Sequence, residues 1–115
     1  MTIYKYNDGS GNTYIIKSEV KKFIEYIPIK PSLSSSGIYD GGNYIKKEIN
    51  KLQYNKITSI LNEAIGNKEN HIENRVKMSG MITIKEINDK NIYILAPNSK
   101  ELYKIEKTMQ EIIKH

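Results

Sequence analysis

Apolar and polar residues alternate in short runs as far as Ile49, then recur at helical spacing from Tyr54 to Ile65. Alternation returns between Met81 and Ala96, and the chain closes on a second helical stripe. Thr2 to Tyr6 and Thr13 to Ile16 are β-prone, and Asn7-Asp8-Gly9-Ser10-Gly11-Asn12 lies between them. Asn, Asp and Gly tolerate left-handed backbone, so the pattern predicts a hairpin. From Val20 to Ile29, Phe23, Glu25, Ile27 and Ile29 share one period-2 face, and Ile24 and Tyr26 share the other. Pro28 places any strand here at an edge or near its end. A helical turn capped by Ser18 is the alternative. Residues 31–42 have no periodicity and read as a long Ser/Gly/Asp loop. Asn43 to Ile49 resumes as a strand.

Asn50 followed by Gln53 has the form of a capping box. Tyr54, Ile57, Ile60, Leu61, Ala64 and Ile65 then make one apolar face, predicting a helix over 51–65 with Gly66 as its left-handed stop. His71 to Met78 reads as a strand and Gly80 as a turn or bulge. Met81 to Ile87 and Ile92 to Ala96 read as strands joined by the turn Asn88-Asp89-Lys90-Asn91. Asn98 with Glu101 suggests a second capping box, ahead of a helix over 100–113 that carries Leu102, Ile105, Met109, Ile112 and Ile113. The order is β-β-β-β-α-β-β-β-α. Two helices cannot cover both faces of a large parallel sheet. The expected fold is therefore α+β: a mostly antiparallel sheet with both amphipathic helices on one face, in one domain spanning residues 1–115.

Composition narrows the chemistry. Among 115 residues there are nine Tyr, one Phe, and neither Trp nor Cys. The core should be Ile, Leu and Val, with tyrosine rings leaning in from its edge. Without cysteine there is no disulfide framework and no thiolate metal site, which fits a cytoplasmic protein. No apolar run is long enough to span a membrane, and the first residues do not read as a signal peptide. The net charge of +5 comes from 18 basic and 13 acidic residues, mostly lysines interleaved with glutamates, as on an ordinary solvated surface. A nucleic-acid surface would need lysines such as Lys21, Lys22, Lys46 and Lys47 to converge.

Two segments stand out. The loop from Pro31 to Tyr44 is rich in Ser and Gly and carries Tyr39, Asp40 and Tyr44. It reads as a connector or as a protein-contact loop with two tyrosine anchors. It lacks the Gly-Lys-Ser/Thr ending of a phosphate-binding loop and any nucleophile elbow. The second segment, His71-Ile72-Glu73-Asn74-Arg75-Val76-Lys77-Met78, would project His71, Glu73, Arg75 and Lys77 from one face if extended. A base, an acid and a guanidinium are the groups that phosphodiester cleavage uses. The same spacing also occurs on plain solvated sheet faces. No cofactor and no metal are expected.

The organisation resembles that of small bacterial toxin-immunity proteins, which serve contact-dependent or secreted toxin systems. The loop Ser34 to Gly42 and the stretch His71 to Met78 carry this resemblance, which at the level of overall design covers the whole chain. It implies a cytoplasmic, non-catalytic inhibitor that occludes a cognate toxin. Many nuclease-binding immunity proteins are acidic; this chain is basic, which suits an acidic toxin surface. Tyr39, Asp40, Tyr44, His71, Glu73 and Arg75 are the expected partner-binding residues. The alternatives are a small endoribonuclease using His71, Glu73 and Arg75, and a non-catalytic nucleic-acid binder.

Overall fold

The computed structural model describes residues 2–29 and 42–114. β1 (Ile3–Asn7) and β2 (Thr13–Ser18) form the expected hairpin. Asp8 closes it. Its Oδ1 accepts from the backbone N–H groups of Ser10 and Asn12, both at 2.9 Å, and its Oδ2 accepts from Asn12 Nδ2 at 3.0 Å. Gly11 takes a φ of 96°, which an L side chain resists. The ambiguous stretch that follows resolves as β3 (Lys22–Ile27) rather than a helical turn. It is an interior strand, and Pro28 falls just past its end, where a missing N–H removes no ladder bond. β4 (Ile45–Ile49) pairs with β3 and forms one edge of the sheet.

α1 (Lys51–Gly66) begins with the capping box read from the sequence: Gln53 N donates to Asn50 Oδ1 at 2.8 Å, and Asn50 N donates to Gln53 Oε1 at 3.0 Å. Its end differs from the expectation. Gly66 is the last helical residue rather than a left-handed stop; Asn67 follows as C-cap at φ −89°, its N–H bonded to Glu63 O. A single 3₁₀ turn (Lys68–Asn70) leads into β5, which is only His71–Ile72. Beyond it the chain bonds to itself. Ser79 Oγ accepts from Val76 N and donates to Val76 O, and Met78 takes a φ of 66°. β6 (Gly80–Glu86) and β7 (Asp89–Leu95) are joined through Ile87 and Asn88 alone, a tighter turn than the one expected. α2 (Lys100–Lys114) ends the described chain.

Among the described residues, seven strands join one antiparallel sheet in the order β4-β3-β2-β1-β6-β7-β5. Both helices lie on one face. Tyr6 OH donates to Glu106 Oε2 at 2.8 Å, Gln110 Nε2 donates to Tyr14 OH at 2.6 Å, and the His71 ring reaches Ala64 O at 3.0 Å. The fold is thus the α+β arrangement that the patterning predicts. The core departs from expectation in one respect. Tyr26, Tyr14 and Tyr6 are register partners across β3, β2 and β1, with ring centroids 4.8 and 5.9 Å apart, and all three are buried. The tyrosines fill the middle of the core rather than its edge. Burial pushes the Tyr6 and Tyr14 hydroxyls well above the usual phenol range, so both stay protonated as hydrogen-bonding groups.

Candidate binding surface

The structure disperses the expected site residues. Tyr39 and Asp40 lie outside the described residues, as do Ser34 to Ser36. Tyr44 precedes β4 and His71 opens β5, so they sit at opposite edges of the sheet. The predicted strand over 71–78 is a correction, because pairing with β7 stops after Ile72. His71 faces the helices, held between Ala64 O and the ring of Tyr93 at 5.9 Å. Arg75 is exposed, and its guanidinium clasps neighbouring backbone. Its Nη2 donates to Ser79 O at 2.6 Å and to Asp8 O at 3.3 Å, and its Nε donates to Ser79 Oγ at 3.3 Å. Glu73 is exposed. The three groups proposed for phosphodiester cleavage therefore do not share a strand face.

Tyr44 keeps a surface role. Its hydroxyl donates to Glu25 Oε2, which pushes the phenol above its usual value, and the residue remains 55% exposed. Glu25 belongs to the sheet face that the helices leave open. Register defines that face in cross-strand rows. One row runs Lys46, Glu25, Ile15, Lys5, Thr83, Ile92; the next runs Glu48, Phe23, Lys17, Ile3, Lys85, Lys90. At the centre the short side chain of Thr83 leaves a hollow of about 360 Å³ among longer neighbours. Ile3, Ile15, Met81 and Ile92 form its apolar walls, and Lys5, Lys17, Lys85 and Lys90 form its rim.

Sequence reading did not pick out this surface. The lysines it considered are spread over both faces: Lys46 sits over the Phe23 ring at 5.1 Å, Lys22 over the Tyr54 ring at 5.7 Å, and Lys47 Nζ donates to Ile112 O at 2.8 Å. Lys21 pairs with Glu48 at 3.6 Å. The four that converge come from two hairpins far apart in sequence, Lys5 and Lys17 from one and Lys85 and Lys90 from the other. Their signal was nevertheless present, since each stands two residues from Ile3, Ile15, Thr83 or Ile92 on the same strand face.

Two other depressions deserve comparison. One, of about 680 Å³, lies beside α1 and the end of α2 and is broader and more open; Leu52 and Ile112 line it together with Gln53, Lys56 and Glu111. The other, about 350 Å³, lies between the β1–β2 turn and the start of α2. There Gly9 approaches the Met78 backbone so closely that a Cβ would stand 2.8 Å from Met78 O. Asn98, at φ 63°, lacks the extended backbone of an N-cap residue, and Glu101 of the proposed second box accepts instead from Asn67 Nδ2 at 2.8 Å and Asn70 Nδ2 at 2.6 Å. Those bonds clasp the start of α2 to the chain leaving α1.

Glu106 borders the smaller depression. Desolvation raises its carboxyl above the ordinary value, the nearby Asp8 charge adds to the rise, and the Tyr6 hydrogen bond opposes it. The folded state therefore holds this proton more tightly than the unfolded chain. Its contribution to stability is fully present below the ordinary glutamate range and is lost as pH rises through the raised value. In urea denaturation from about pH 4 to pH 8, stability of the wild type relative to Glu106→Gln should decline with rising pH. Parallel curves would contradict the assignment.

Among the described residues, no three His, Cys, Asp or Glu side chains group as metal ligands would, and no helix is long and apolar enough to cross a membrane. No family model matches the chain, and neither the curated proteins nor the solved structures hold a match to it.

Proposed function

We propose that this chain is a non-catalytic cytoplasmic inhibitor that binds a partner protein through the open face of its sheet and occludes it. The observation that carries the reading is the hollow walled by Ile3, Ile15, Met81 and Ile92 on a face with no described helix over it. Half-exposed apolar side chains ringed by charge are what a protein interface buries at its centre and hydrates at its rim. Tyr44 extends the surface at the β4 edge as an amphipathic anchor. A cognate bacterial toxin is the partner implied by the resemblance to immunity proteins.

The test is affinity capture from cells of the source organism, identification of bound protein and nucleic acid, and binding measurements on the purified partner. Ile15→Glu and Ile92→Glu should each weaken binding by at least about tenfold, or roughly 1.4 kcal/mol. Leu52→Glu, on the outer side of α1, should leave it unchanged. If the isoleucine variants bind normally and Leu52→Glu does not, the contact belongs to the helices. The endoribonuclease alternative is tested alongside: purified protein should not cleave RNA. Cleavage abolished by His71→Ala or Glu73→Gln would favour that alternative.

A further inference from the structure

We infer that the partner segment seated on the open face is acidic as well as apolar, an inference that rests on the binding reading above. Four strands each contribute one cation to the hollow: Lys5 from β1, Lys17 from β2, Lys85 from β6 and Lys90 from β7. Among the described residues no carboxylate lines it, and none of these lysines forms an ion pair with a described residue. The described acidic side chains of the face lie toward β4, where Glu25 accepts from Tyr44 and Glu48 pairs with Lys21. Glu86 and Asp89 close the β6–β7 hairpin as register partners and belong to the opposite face. The charge around the hollow is thus of one sign, and only an anionic occupant complements it. Its walls require apolar side chains between the carboxylates.

The same geometry argues for protein over other anions. Single-stranded nucleic acid on a sheet stacks its bases on aromatic rings, and no described aromatic residue lines the hollow. Phe23, the nearest in the register, already carries Lys46 over its ring. A bilayer takes up protruding apolar groups, whereas the centre here is recessed to the buried Thr83. A side chain from another protein fits a recess.

The probe is a peptide of about twelve residues repeating Leu-Leu-Asp-Asp, which alternates leucine and aspartate along each face when extended. The nitrogen-15-labelled full chain is titrated with it, with its lysine-for-aspartate counterpart, with a uridine oligonucleotide, and with phosphatidylcholine vesicles containing phosphatidylserine. The acidic peptide should shift amides of β1, β2, β6 and β7, and added salt should weaken it. The double variant Lys5→Glu/Lys85→Glu, whose unchanged spectral dispersion verifies its fold, should bind at least about tenfold more weakly. No shift on these strands, equal binding of the lysine peptide, or a stronger response of this face to RNA or vesicles would overturn the inference. The captured partner separates the two claims. Loss of its binding in Ile15→Glu but not in Lys5→Glu/Lys85→Glu rejects an acidic occupant and leaves the binding face standing; retention in both rejects the face itself.

Discussion

Leu61→Ala should destabilise the protein by about 2–5 kcal/mol, the range for truncating a buried leucine. Leu61 is 0% exposed, at the centre of the α1 stripe between Ile57 and Ala64, and it belongs to the cluster that joins both helices to the sheet. The same cluster includes Ile16, Ile24 and the tyrosines of β1–β3, held by the sheet ladder. Such a cluster cannot collapse fully into the vacated space, so lost transfer energy and a residual cavity both count. Chemical denaturation at an unchanged slope measures the difference. A change below about 0.5 kcal/mol, usual for surface sites, would place Leu61 outside the core. Leu52→Ala is the internal control, because Leu52 is 81% exposed.

Gly80→Ala should cost about 1–3 kcal/mol by overpacking. Gly80 opens β6, and a Cβ there would run into Leu102 Cδ2 of α2 and stand 3.1 Å from Tyr6 OH. Leu102 is buried, and Tyr6 is fixed by its bond to Glu106. To admit a methyl group, α2 must shift or Leu102 must leave its rotamer. Gly80 has no positive φ, so the expected loss is steric and not conformational. Equal denaturation midpoints for the two proteins would show that α2 is not seated so closely. A larger loss for Gly80→Val than for Gly80→Ala would confirm the steric cause.

The same contact shows where linear reading reaches its limit. Gly80, between two runs, reads as a turn or bulge, but it opens β6 and lets a helix from the far end of the chain approach. The tyrosines offer a parallel case. Composition places amphipathic rings at a core margin, yet hydroxyl partners on α2, Glu106 and Gln110, let Tyr6 and Tyr14 enter completely. Arg75 and His71 drew notice by residue type, and their local contacts could not be read from the sequence. In the structure both hold backbone carbonyls, Asp8 O and Ser79 O for one and Ala64 O for the other.

What the sequence determined by itself was local: seven strands and two helices in order, the Asn50–Gln53 capping box, the turn after Asn7, and the apolar stripes of α1 and α2. These follow from backbone preference and from periodicities of two and 3.6, which neighbouring residues carry among themselves. Beyond the β1–β2 and β6–β7 hairpins, tertiary structure alone decided which strands became neighbours. By setting β1 between β2 and β6, it gathered Lys5, Lys17, Lys85 and Lys90 around one hollow and put Tyr44 and His71 at opposite edges. Neighbouring strands stand only about 5 Å apart whatever the chain length between them, so proximity on a sheet face is a property of register.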